Sequence, residues 1–201
     1  MRTTLFSLIF TATASLAAMA PAATLGLTTG APSLSSSAAS IDYFEFGSDG
    51  DLSSFGAEID ATNGITTTGF TEIGFGIGFS LSDPTDAPAG GFDIFDDTGL
   101  VLAGDLLAIG FVEDTIELQF NNLFGSGAGA FGTSALAVIT FDDPLGPDPF
   151  LSFFDGDFYG ASITVSNVVT ATPSPVPLPA GLPLMLGALG LSAGLLRRRK
   201  N

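Results

Sequence analysis

The chain has 201 residues, with 21 Asp and Glu against 5 Lys and Arg, and a formal net charge of -16 at pH 7. It contains neither His nor Cys, which excludes Ser-His-Asp and Cys-His nucleophiles, disulfides and His-ligated zinc. The basic residues are Arg2, Arg197, Arg198, Arg199 and Lys200, and every acidic residue falls between Asp42 and Asp157, so the middle lacks the electrostatic basis for phosphate or nucleic-acid recognition.

Arg2 precedes an apolar stretch, Leu5, Phe6, Leu8, Ile9 and Phe10, which runs through Ala, Thr, Ser and Leu residues to Ala18. This is the order of a secretory signal peptide, residues 1–23, with the small residues Ala20-Pro21-Ala22 at the cleavage site. The mature chain is expected to start near Ala23 or Thr24. An uncleaved anchor is the alternative, disfavoured because the apolar run is short and rich in Thr and Ala.

Residues 24–40 are rich in Ala, Ser, Thr and Gly and read as a flexible leader or loosely packed edge segment. Residues 41–172 then form one acidic, Gly- and Phe-rich domain, a size that buries a single core. Ile41–Phe46 carries strand-forming residues. In Ile73–Leu81, Ile73, Phe75, Ile77, Phe79 and Leu81 alternate with Gly or Ser, the period of a strand with one buried face. Its bare Gly face suits close approach by another backbone, or a solvent-facing strand with little side-chain cover.

Further strands are expected at Ile65–Phe70, Leu106–Glu113, Thr115–Phe120, Ala135–Phe141 and Ser162–Thr170, with a bulge at Ser166-Asn167. Gly, Pro and Asp clusters separate them, including Gly125 to Gly132. Many short strands with turn signals predict an all-β fold, an antiparallel β-sandwich or jelly roll. Flanking it are the N-terminal signal helix and a C-terminal transmembrane helix.

Carboxylates are the chemistry left to this domain. Asp49-Gly50-Asp51 and Asp155-Gly156-Asp157 each place two carboxylates around a Gly, and Asp93, Asp96 and Asp97 cluster, as do Asp142 and Asp143. Asp49, Asp51, Asp155 and Asp157 are the candidate ligands for calcium, a hard cation that takes oxygen donors. The first loop departs from an EF-hand, with Ser54 where the loop glycine belongs and Asp60 in place of the terminal Glu. Solvated turn aspartates are the competing reading. A two-carboxylate glycoside hydrolase is a weaker one, because no Trp is present to line a sugar cleft.

Pro173, Pro175, Pro177 and Pro179 recur at every second position, so residues 173–180 are expected to form an extended, PPII-like stalk. Leu178–Leu196 is an uncharged run of 19 residues, about 28 Å as a helix and close to a bilayer's hydrocarbon core. The helix proper is placed at residues 181–196 and the basic tail at 197–201. Moving Arg197, Arg198, Arg199 and Lys200 across the membrane costs on the order of 10 kcal/mol. They therefore act as a stop-transfer signal, leaving the tail in the cytoplasm and the acidic domain outside.

Val176-Pro177-Leu178-Pro179-Ala180, an apolar run and then Arg197-Arg198-Arg199-Lys200 resemble the VPLPA-type C-terminal protein-sorting signal. That signal is a variant of the PEP-CTERM signals handled by exosortases in Gram-negative bacteria, and the likeness covers about the last 26 residues. It implies export through the secretion machinery, recognition by an exosortase-like membrane peptidase, cleavage near the short motif, and release or transfer to the cell surface or exterior. Such proteins are often associated with extracellular polysaccharide and biofilm matrix. The resemblance carries no activity for the central domain, which is read as non-enzymatic. A plain stalk on a permanently anchored calcium- or glycan-binding module is the alternative.

Overall fold

The computed structural model describes residues 24–169. They form nine strands: β1 (Thr29–Phe46), β2 (Asp49–Glu58), β3 (Ala61–Asn63), β4 (Thr71–Ser80), β5 (Ala89–Asp96), β6 (Gly99–Val112), β7 (Thr115–Phe124), β8 (Ala135–Phe141) and β9 (Phe158–Val168). A single helical turn, α1 (Ala128–Phe131), lies between β7 and β8. Each pairing is antiparallel, in the order β2-β4-β5-β6-β7-β8-β9-β1, and β1 pairs back onto β2. Eight strands thus close into one barrel, with β3 hydrogen-bonded to β1 outside the ring.

The all-β, antiparallel expectation holds, whereas one closed sheet stands in place of a two-sheet sandwich or jelly roll. The strand at which the ring closes is β1. Asp42–Phe46 pairs with β2 on one edge, while Ala39–Asp42 pairs with β9 on the other. Closure leaves the ring without a free edge. The Ser- and Ala-rich stretch expected to be a leader is therefore largely wall: Leu34, Ser36 and Ala39 are buried. Two register shifts, between Gly30 and Ser33 and between Ser36 and Ala39, bend β1 as bulges do. The first faces Ser166 and Asn167, so the expected irregularity exists but its extra residues, Ala31 and Pro32, belong to β1.

Along β4, Thr71, Ile73, Phe75, Ile77 and Phe79 point inward and are buried. They meet Ile41, Leu52, Ile94, Leu102, Ile116, Leu118, Ile139 and Ile163, all at most 1% exposed. Burial of each such side chain stabilises by about 1.5–3 kcal/mol relative to exposure. Aromatic rings close both ends. At the end carrying the β8–β9 connection, Phe150 packs on Phe79 at 4.7 Å and on Phe111 at 5.2 Å, and Phe153 packs on Tyr43 at 5.1 Å. At the other, fully buried Phe131 of α1 enters the core. Ile65–Phe70, expected to be a strand, is an irregular connection from β3 to β4 whose Ile65 packs against the core as loop rather than wall.

Among the described residues no helix is long and apolar enough to cross a membrane. The expected signal peptide, stalk, membrane span and basic tail lie outside the described residues.

Candidate functional site

The outward face of β4 is Glu72, Gly74, Gly76 and Gly78, because the residues between them fill the core. Register sets these against β5, pairing Glu72 with Phe95, Gly74 with Asp93 and Gly76 with Gly91. On the next strand, β6, Ala103 stands opposite Asp93 and Asp105 opposite Gly91, and Phe124 of β7 stands opposite Ala103. Three strands thus offer a patch of nearly bare backbone ringed by phenylalanine and carboxylate. Two hollows open on it, of about 310 Å³ and about 190 Å³, and Gly91 and Asp93 line both.

The walls are aromatic. Phe55 is 82% exposed, Phe124 55% and Phe95 41%. Phe55 follows the inward residue Ser54 on β2 and so faces outward, at the start of a register shift between Ser54 and Ala57. Phe124 ends β7 just before Gly125.

Two carboxylates point into the same groove. Asn122 Nδ2 donates to Asp105 Oδ2 at 3.0 Å, fixing that side chain. Loss of hydration among the neighbouring strands, and then the Glu72 carboxylate, push Asp93 above its ordinary value of 3.8. The folded state thus holds this proton more tightly than the unfolded chain does. The stability that Asp93 contributes is complete below pH 3.8 and is lost as pH rises through the folded value. Asp93→Asn is therefore expected to melt above the parent protein at pH 7, with the difference closing as pH falls below 3.8. Melting curves at the two pH values check this.

The structure separates the four candidate calcium ligands. Asp49 and Asp51 lie on β2 opposite Phe46 and Phe44 of β1. Asp155 and Asp157 lie along the other edge of β1, in the segment entering β9. Glu45 N donates to Asp155 Oδ1 at 2.9 Å, Gly156 N donates to the Tyr43 carbonyl at 2.9 Å, and Tyr43 N donates to the Asp157 carbonyl at 3.1 Å. This Asp-Gly-Asp turn extends the sheet past β9, with one Asp155 oxygen committed to backbone. Burial pushes Asp51 above its ordinary value, against a hydrogen bond from Ser53.

Asp96 likewise serves its turn, accepting from Thr98 N at 2.8 Å, Thr98 Oγ1 at 2.6 Å and Thr68 N at 2.9 Å. Those bonds hold its carboxyl below the ordinary value. Asp93, by contrast, faces the groove, so the sequence cluster is divided between two roles. Among the described residues, no group of three or more acidic side chains is arranged to hold a metal ion.

The sorting-motif residues Val176, Pro177, Leu178, Pro179 and Ala180, and the basic Arg197, Arg198, Arg199 and Lys200, lie outside the described residues. Among residues the sequence did not single out are Phe55, Phe95, Phe124 and Asp105. The signal that pointed to their surroundings was the unbroken Gly face of β4.

No protein-family model, curated protein or solved structure matches this chain.

Proposed function

We propose that this chain is the precursor of an exported, non-enzymatic surface or extracellular-matrix protein, sorted through an exosortase-type C-terminal signal. The observation that carries this reading is the order at the C-terminus: Val176-Pro177-Leu178-Pro179-Ala180, an uncharged run to Leu196, then Arg197-Arg198-Arg199-Lys200. With a cleaved signal peptide at residues 1–23, that order places the acidic domain outside and the basic tail in the cytoplasm. An integral-membrane peptidase then meets an extended Pro-rich segment just above the bilayer. The domain has no His, Cys, Lys or Arg, and so lacks imidazole, thiolate and amine groups and phosphate clamps, leaving carboxylates as its acid–base groups.

Expression in a host with an active exosortase tests the processing step. The parent protein is expected in the medium or matrix without its apolar run, while a variant lacking residues 176–180 is expected to stay in the membrane at full length. Recovery of the parent protein only as a full-length membrane species refutes processing. It leaves the second reading, a permanently anchored calcium- or glycan-binding module. The groove across β4, β5 and β6 favours the ligand-binding part of that reading. Its calcium part predicts a higher melting temperature in about 1 mM calcium, the range of extracellular modules, and an unchanged one removes it.

A further inference from the structure

We propose that the groove on the outer face of β4, β5 and β6 binds an amine-bearing glycan. Its sugar rings would lie on the backbone floor against Phe55, Phe95 and Phe124, and its ammonium groups would meet Asp93 and Asp105. This gives a ligand class to the binding-module reading and does not depend on how the C-terminus is processed.

The floor at Gly76 is barer than the fold demands. Gly91 is held against backbone, where a Cβ would lie 2.7 Å from the Gly104 carbonyl oxygen, but a Cβ added at Gly76 would meet nothing within 4 Å, and Gly76 has no positive φ. Glycine in a strand interior costs roughly 0.5–1 kcal/mol relative to alanine, and here neither packing nor backbone geometry accounts for it. Close approach of a ligand to the backbone does.

The walls select flat, apolar faces. Phenylalanine has no hydrogen-bonding group, so the exposed rings, Phe95 and Phe124 on the larger hollow and Phe55 on the smaller, gain only by covering C–H surface or by facing a cation. A pyranose ring carrying an amine presents both.

Charge selects the sign of the ligand. All 21 acidic residues lie in residues 42–157, without one Lys or Arg among them, so an anionic polymer is repelled and a cationic one drawn in. At the groove itself, the crowding of Asp93 by Glu72 is relieved by an arriving ammonium. The same repulsion disfavours a second copy of this chain as occupant.

Strand pairing argues against a peptide. Each of β4, β5 and β6 is hydrogen-bonded on both sides, so no free edge is present in the groove for strand addition, and the glycine floor offers no side-chain pockets to read a peptide.

The test uses the purified full-length chain in a detergent whose head group is not a sugar. Calorimetric titration compares a glucosamine oligosaccharide, its N-acetylated counterpart and an oligolysine of equal length. The glucosamine oligomer is expected to bind at least about tenfold more tightly than either, about 1.4 kcal/mol. Phe55→Ala, Phe124→Ala and the double variant Asp93→Asn with Asp105→Asn should each weaken it by about tenfold, and only the carboxylate variant should flatten the salt dependence. If an alanine variant melts early, Phe55→Leu or Phe124→Leu replaces it, since leucine fills space without a flat ring. Equal binding of oligolysine, equal binding of the N-acetylated oligomer, or indifference to the Phe variants each overturns the proposal.

Discussion

Phe111→Ala is expected to lower the unfolding free energy by about 3–5 kcal/mol, the cost of truncating a buried aromatic ring. Phe111 is 1% exposed on β6 and meets Phe150 edge-on, with ring centroids 5.2 Å apart at 80°. Phe150 in turn stands 4.7 Å from Phe79 and 5.9 Å from Phe153. A hole at Phe111 thus separates the wall from the aromatic plug that closes this end. Against the roughly 5–15 kcal/mol typical of a folded domain, such a loss leaves little margin. Urea denaturation should show a lower midpoint at an unchanged slope. A cost below about 1 kcal/mol would mean that the plug is loosely seated and the barrel end open.

Glycine substitutions on neighbouring strands are expected to diverge sharply. Gly90 has a φ of +134°, and a Cβ there would lie 2.1 Å from the Gly76 carbonyl oxygen. Gly90→Ala therefore combines a backbone conformation that L-residues avoid, worth about 1–3 kcal/mol, with a collision against main chain that cannot turn aside. Partial unfolding at room temperature is the expected result. Gly76→Ala meets open space and is expected to be neutral or to stabilise by roughly 0.5–1 kcal/mol. Thermal melts of the two variants beside the parent decide it, and equal effects would contradict the β4–β5 register from which the groove is built.

Strands whose own residues alternate were legible in the sequence. Ile73, Phe75, Ile77 and Phe79 announce β4, and β8 runs over Ala135–Phe141 as its composition suggests. Strands whose inward positions hold small residues were not. Gly50, Ser54 and Ala57 are buried along β2, so it shows no apolar period, and β5 has only two inward apolar residues, Phe92 and Ile94, after Ala89-Gly90-Gly91. The same masking hid the first half of β1 behind Ser and Ala. Conversely, Ile65–Phe70 is strand-like in composition, but the single apolar anchor at Ile65 is what the fold uses.

Barrel and sandwich share one local pattern, inward apolar and outward polar at period two. What separates them is the pairing of β1 with both β2 and β9, a fact of long-range register that no local window contains. The groove was half legible for the same reason. The Gly face of β4 could be seen in the chain, whereas Phe55, Phe124 and Asp105 reach it only through bulges and cross-strand neighbours.

On the proposed reading, a signal at each end delivers this acidic barrel out of the cell and is then removed. Trypsin finds no Lys or Arg from Thr3 to Leu196, so peptide mapping with it cannot locate the mature ends. The direct measurement is the intact mass of the mature protein recovered from its native host. Expected is a chain that starts near Ala23 or Thr24 and stops near Val176–Ala180, with any group attached at the new C-terminus adding to its mass. A mass that includes the apolar run and Arg197-Arg198-Arg199-Lys200 would contradict it.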